Sequence, residues 1–502
     1  MAYRSVKTQL TRRAALFAGG AAVGAYAGSK LGSNVPSVAA TNSMQPIGAE
    51  GTLNDASLLS ETPVAKHVIL PDNPSEVMID KVRAEILEAR DAGRPFNIGA
   101  ARHSMGGHAI PRDGTALTYD NGLVEPDHRE MTYRVHAGAR WSDVIAQLDR
   151  IGMSPKIMQS NNDFGVAATF CVNAHGWPAP WGPMGESVRQ IYMLRPDAEL
   201  VRVSRDEFAD LFTLTMGGYG LTGAILELEV EMVPNRRLTP TFQKMPSREF
   251  APFFVGAIEA GDVNMAYGRL NVDRETFFED ALMITYREAE DQENLPPVTG
   301  SGFMSKAAAR VFRAQLMNET AKDIRWGFEA ILGPLIGAGD VTRNTLLNEP
   351  VKTLDDRDPT RTDILHEYFV PPERFGDFID VCQDVIPASY QEMLNITLRY
   401  VKADRESVLA YAPGNRIACV MLFSQEMTAR AETDHKRMTQ ELIERVLALG
   451  GTYYLPYRPH ATGAQLLRGY PSVRDFVERK LELDPDRTFR NGFWDTYLEP
   501  LA

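Results

Sequence analysis

The sequence predicts an α+β protein of two or three folded units. Three observations predict it. Residues 63–235 alternate helix and strand signals without settling into a regular βαβ series. The stretch from Asn235-Arg236-Arg237 to Pro246 reads as a boundary, and strand-like runs dominate beyond it. Once an N-terminal leader and a polar linker (Thr41 to Glu61) are set aside, about 440 residues remain, enough for two or three cores.

The elements follow in chain order. Glu76 to Ala92 is an amphipathic helix opened by Asn73-Pro74-Ser75. Pro95 to Ile98 is strand-like and runs into a Gly-rich turn. Tyr133 to Ala137 alternates as a strand, and Trp141 to Ile151 reads as a helix stopped by Gly152. Leu221 to Val233 ends in a long strand. Past the boundary come a strand-rich stretch (Asn264 to Tyr286), a polar loop (Gln292 to Gly302) and a helical region (Ser305 to Ile336). Strands at His366 to Val370, Asn395 to Tyr400 and Arg416 to Phe423 precede a long helix, Thr428 to Leu449. Tyr470 to Trp494 is a helix followed by Leu-Asp-Pro-Asp-Arg-Thr-Phe-Arg-Asn.

The first 39 residues read as an export signal. Arg12-Arg13 precede an apolar run, Ala14 to Ala27, which falls short of the roughly 20 residues of a spanning helix. The paired arginines suggest the twin-arginine route, which carries folded proteins, and hence a periplasmic or secreted product. Ala25-Tyr26-Ala27 and Ser37-Val38-Ala39 are the candidate cleavage sites. No membrane span is expected unless this signal stays uncleaved. The segment holds five basic and no acidic residues, so losing it moves the net charge from −13 to −18. Such an acidic chain excludes nucleic acid and anionic lipid as expected partners. Cys171, Cys382 and Cys419 are too few and scattered for a disulfide framework. With neither CxxC nor HExxH present, no metal site is expected.

The most informative segment is Ile98-Gly99-Ala100-Ala101-Arg102-His103-Ser104-Met105-Gly106-Gly107-His108. Small residues let backbone N–H groups approach a phosphate or a flavin ring. An imidazole in such a turn can be a ligand, an acid/base or a covalent anchor. Gly218-Tyr219-Gly220-Leu221-Thr222-Gly223 fits GxGxxG, but a strand follows it where a dinucleotide fingerprint needs a helix, so no NAD site is expected.

Three segments in order resemble the flavin domain of the vanillyl-alcohol oxidase, or PCMH-type FAD, family. Gly99 to His108 resembles the GxGHSxxG loop of cytokinin dehydrogenases and the RHS loop of alditol oxidases. Phe164 to Gly176 resembles VGGTxxxxxHG, with Ala167-Ala168 in place of its glycine pair. Leu211 to Ile225 is similar to LFxxxxGGxGxxGIIT, and Leu483 to Asn491 to the closing LDPxxxFxN. The resemblance implies a PCMH-type FAD-binding domain of two α/β subdomains over residues 63–235. It is preceded by the signal (1–39) and a linker (40–62), and followed by an α+β cap, or substrate, domain (236–450). A C-terminal segment (451–502) then returns to the FAD domain.

The resemblance further implies FAD, bonded through His103, with Ile98, Gly99, Ala100, Ala101, Arg102, Ser104, Met105, Gly106 and His108 around it. Ser160, Gly165, Thr169, Cys171, His175, Gly176 and Ile225 fall where relatives line the cofactor. Asn161 stands near where bicovalent relatives carry a second flavin-linked Cys, so one linkage is expected. For catalysis, Thr397-Leu398-Arg399 resembles the cap strand of alditol oxidases, which have Glu at the place of Thr397. Arg458-Pro459-His460 resembles their RPHWGK. Arg399 and His460 are therefore the candidate cation and base, with His366 and Glu367 in reserve. The expected activity is oxidation of a hydroxyl on a small sugar, polyol or aldonolactone, with O2 or another electron acceptor. An amine dehydrogenase of cytokinin dehydrogenase type and a flavin-binding protein without turnover are the alternatives.

Overall fold

The computed structural model describes residues 50–71, 76–120, 122–299, 312–332, 339–350 and 360–502. The expected signal, the first part of the linker, Asn73–Ser75 and the two ends of the Ser305–Ile336 region lie outside the described residues.

Three sheets carry the fold. The first is a three-stranded parallel sheet in the order Lys66–Leu70, Thr115–Tyr119, Phe96–Gly99. Helix Glu76–Asp91 crosses between its first two strands in sequence. Its buried stripe, Met78, Val82, Ile86 and Ala89, has the spacing of one helix face. The second sheet is antiparallel and centred on Ala224–Pro234, which pairs with Val188–Leu194, Thr132–His136 and Met153–Pro155. Helix Trp141–Asp149 buries Trp141, Val144, Ile145 and Leu148 in the same core.

The third sheet has eight antiparallel strands. Its central order is Asp280–Glu288, Val263–Leu270, Glu392–Val401, Arg416–Glu426, Arg361–Val370, and Thr452–Tyr453 closes one edge. Helices Phe250–Glu259, Phe375–Val385 and Ala429–Ala448 cover one face of it. Gly268 shows how closely: a Cβ there would sit 2.4 Å from the Phe250 ring. Because strand residues alternate between faces, the other face is left to look toward the first two sheets.

The chain end joins the layers. Residues 451–502 do not return at once to the first domain: Thr452 and Tyr453 first pair with Phe369 and Tyr368 in the cap sheet. After helices Gly463–Gly469 and Val473–Leu483, the Leu483 to Asn491 motif docks on strand Phe96–Gly99. Phe96 N–H donates to Thr488 O (2.6 Å), and Arg490 N–H to Phe96 O (3.2 Å). The motif residues divide the labour. The Asp484 carboxylate accepts from the N–H groups of Thr488 and Phe489. Phe489 is fully buried against Phe96, worth about 2–3 kcal/mol. The Asn491 amide donates to His108 O (2.7 Å) and Tyr219 O (2.9 Å).

Candidate active site

A cavity of about 430 Å³ lies between the cap sheet and the first two sheets. Its floor on one side is the Gly-rich loop after strand Phe96–Gly99. That loop is held from outside: Ala56 N–H donates to Arg102 O, Met105 N–H to Pro456 O, and Gly107 N–H to the Asp55 carboxylate. Arg102 takes a left-handed backbone conformation, and its guanidinium lies over Gly99, where a Cβ would come within 2.8 Å of it. The Arg102 side chain donates to Thr118 Oγ1 (2.8 Å), and burial, with Arg140 nearby, pushes its pKa down to about 10.

This end fits a flavin dinucleotide. A diphosphate needs positive charge and hydrogen-bond donors at close range. Arg102 Nε, Arg140 Nη1 and Ser160 Oγ are buried and unpartnered among the described residues. Arg140, at the head of helix Trp141–Asp149, reaches the position where a Gly165 Cβ would be, 3.3 Å from its Nη1. The short helix Val166–Cys171 carries Ala167, Ala168, Thr169 and Cys171 to the wall. Thr169 Oγ1 is fixed by the Trp141 indole N–H (2.9 Å) and by Gln159 Oε1 (2.7 Å). Burial pushes the Cys171 thiol up to about 12, which leaves it protonated and packed.

The opposite wall is the free face of the cap sheet. Register pairs Arg269 with Thr397, Thr397 with Val420, and Val420 with Glu367, a row across four strands. Asn395, Arg399, Leu422 and Leu365 flank it at two-residue steps, and all eight line the cavity. Glu367 meets His175 from the other layer: Nε2 lies 2.6 Å from Oε1, with exposures of 3% and 2%. Tyr457 Oη donates to Glu367 Oε2 (3.4 Å), and Arg399 Nη1 to His175 O (3.4 Å). Desolvation lowers the His175 pKa below its ordinary value, outweighing the nearby Glu367 carboxylate. Burial likewise drives the Tyr457 phenol upward. The imidazole is therefore neutral near pH 7. With its Nε2 proton given to Glu367, Nδ1 is left as the acceptor.

Of the expected residues, Ile98 to Ser104, His108, Ser160, Gly165, Thr169, Cys171, His175, Ile225 and Arg399 line the cavity, and so does Asn161. His103 stacks on Phe164 with centroids 4.2 Å apart. Four positions require correction. Met105 turns away to the cap, where its Sδ accepts from Leu365 N–H (3.3 Å). Gly106 forms a tight turn against His108 and Tyr457 O. Gly176 marks a backbone crossing: a Cβ there would sit 1.8 Å from Met158 O. His460 lies behind the cap sheet, beside Glu432 Oε1 (3.0 Å) and Thr439 Oγ1 (3.3 Å), among the rings of His366 and His435. His366 and Glu367 do not form a pair, because neighbours on a strand point to opposite faces.

The sequence reading missed Glu367 as a wall residue of first rank, together with Tyr457, Arg269, Trp177 and Arg140. It also passed over Tyr219, Gly220 and Gly223 of the GxGxxG turn, which line the cavity. That turn leads from helix Ala209–Thr215 into strand Ala224–Pro234, as expected, so it is not a strand-to-helix fingerprint.

Residues 66–204 match the family model described as an FAD binding domain. The chain is 27% identical over 176 residues to L-galactono-1,4-lactone dehydrogenase 2, mitochondrial, of Oryza sativa subsp. japonica, covering 35% of this chain and 30% of that protein. It is 29% identical over 156 residues to an alditol oxidase of a Streptomyces species, 30% of this chain and 37% of the relative. A longer match, 23% identical over 473 residues, is to decaprenylphosphoryl-beta-D-ribose oxidase of Mycolicibacterium smegmatis, 85% of this chain and 93% of that protein. The alignment to the plant dehydrogenase thus spans about a third of its length. The class defined by the fold and the site is that of FAD-binding proteins. Residues 66–204 thus carry an FAD-binding domain of the PCMH type, and the chain is similar to flavin-dependent dehydrogenases and oxidases. Among the described residues no helix is long and apolar enough to cross a membrane, and no cluster suited to a metal ion occurs.

Proposed function

We propose that the protein oxidises a CH–OH group of a polyhydroxylated small molecule. The observation that carries this reading is the buried His175–Glu367 contact. It joins the two layers in the cavity wall, with Arg399 on the same sheet face. FAD, when bound, supplies the acceptor for the two electrons and the hydrogen that leave the substrate carbon. His175 Nδ1 takes the hydroxyl proton. Glu367 holds the ring in the required tautomer and stabilises the cation as it forms, the part a carboxylate plays behind any catalytic histidine. Arg399 offsets negative charge developing on the opposite side of the transfer. The close apolar wall, with Val172, Leu365, Val420 and Leu422, excludes water from the reacting bond. His103, whose ring is steadied in the loop by Phe164, would be the residue that holds the flavin covalently.

The experiment is anaerobic mixing of the purified protein with polyols, aldonolactones and sugar acids, followed by flavin absorbance. Bleaching by at least one member, with a carbonyl product, is the expected result. A flavin that dithionite bleaches and no member of the panel does overturns the reading. An oxygen electrode and a dye acceptor then identify the oxidant of the second half-reaction.

A further inference from the structure

The cap face of the cavity holds two guanidinium groups and no carboxylate bound to either. Arg269 has one hydrogen-bond partner among the described residues, Thr397 Oγ1 at 2.5 Å. Arg399 has one, the carbonyl of His175. No ion pair involves either arginine among the described residues. The acids nearest them are engaged elsewhere: Glu329 Oε1 accepts from Arg325 (2.8 Å), and Glu367 is held by His175 and Tyr457. Thr397, opposite Arg269 in register, offers a hydroxyl and no charge. Both guanidiniums are half-buried in the wall, and the carboxylates within electrostatic range, Glu329 and Glu367, are already hydrogen-bonded to other groups, so the pair keeps donors free for an arriving anion.

The surroundings of Arg269 describe the ligand further. Its guanidinium carbon lies 5.3 Å from the centre of the Tyr267 ring, two residues back on the same strand face. Tyr267 in turn stacks on Trp177, with centroids 4.7 Å apart. The Trp177 indole N–H is buried and has no partner among the described residues. A planar fork beside an aromatic shelf with a spare donor suits an oxyanion at the end of a hydroxylated carbon chain or ring. Thr397 fixes the orientation of the fork.

We propose that the substrate carries an oxyanion, a carboxylate or a phosphate ester, and that Arg269 is the residue that selects it. This deepens the reading of the cavity as the substrate site of a hydroxyl-oxidising flavoenzyme and rests on it. Arg269 acts on binding, while His175 and Glu367 act on the proton.

The test uses three probes of one skeleton, sorbitol, gluconate and sorbitol 6-phosphate, titrated into the flavin-loaded protein by calorimetry. The wild type is expected to bind at least one anion about 10- to 100-fold more tightly than sorbitol, the range for one charge-assisted hydrogen-bond pair. R269M loses that preference and R269K keeps part of it. Gluconate binding alone identifies a carboxylate, and sorbitol 6-phosphate alone a phosphate ester. The proposal is overturned if sorbitol binds the wild type as tightly as both anions, if no probe binds, or if R269M keeps the anion preference. If R269M does not fold, the wild-type panel and R269K decide by the same criteria. A bound anion that fails to reduce the flavin counts against the hydroxyl-oxidation reading and leaves anion selection standing.

Discussion

Replacing Glu367 by Gln tests the catalytic wall most directly. The change is nearly isosteric, so the amide oxygen still accepts from His175 Nε2, and packing against Tyr457 is retained. Two quantities change. The contact to His175 stops being charge-assisted, which removes about 1–1.5 kcal/mol of orientation, roughly tenfold in rate. The negative charge that raises the affinity of His175 for a proton disappears as well, and the weaker base costs up to about a further tenfold. Together the plateau rate of flavin reduction falls about 10²-fold.

The pH profile carries the sign. His175 works as a neutral base, and burial holds its pKa below the ordinary 6.5, so the wild-type rate falls only in acid, as pH drops through that lowered value. In the Gln variant the acid limb moves to still lower pH while the plateau drops. Anaerobic stopped-flow reduction with the best substrate, across about pH 5 to 8, reads both effects around the histidine range. A plateau within threefold of the wild type, or an acid limb displaced upward, refutes the coupling of Glu367 to the base.

Four further outcomes are expected. His103→Ala removes the FAD increment from the denatured mass and leaves the fold; a wild-type mass equal to the apoprotein ends the covalent assignment. His460→Asn leaves flavin reduction within a few-fold but lowers the melting temperature, since Glu432 and Thr439 lose a buried partner worth about 1–3 kcal/mol; a hundredfold loss of reduction would return His460 to the site. Stability falls in acid: burial pushes His108 and His136 down to about 4 and lowers His366 and His435 as well, so each is neutral when folded and protonates on unfolding below its unfolded value near 6.5. The stabilisation is complete above pH 6.5 and is lost toward pH 4, at up to about 1.4 kcal/mol per pH unit for each histidine; a melting temperature unchanged from pH 7 to pH 5 contradicts this. Exchanging Arg12 and Arg13 for Lys holds the protein in the cytoplasm of an exporting host, and undiminished periplasmic yield argues against the twin-arginine route.

The dinucleotide end of the site was legible in the sequence because it is local. A turn such as Gly99 to His108 sets its own backbone, and the motif brings its small residues together whatever the rest of the chain does. The strand and helix runs were legible for the same reason, from helix Glu76–Asp91 to strand Arg416–Glu426. The cap wall of the cavity is assembled by pairing. His175 and Glu367 are 192 positions apart and meet only when two layers close. Arg269 reaches Thr397 through a strand pairing that no local pattern specifies. Faces were equally hidden. Within His366-Glu367 the first residue enters the helix-covered core and the second enters the cavity, and only the sheet's orientation decides which. His460 looked reactive by its neighbours in sequence, but its neighbours in space, Glu432, Thr439 and His435, give it a packing role.

The Asn491 amide, which ties His108 O to Tyr219 O, makes the nucleotide end a composite of stretches far apart in the chain. Without the segment Thr488 to Arg490 the strand at Phe96–Gly99 lacks its neighbour, and without Asn491 the two loops are not tied. A chain cut before Asp484 therefore loses the clasp although every residue of the Gly-rich loop is intact. Flavin retention thus reads the docking of residues 484–491 as well as the loop itself.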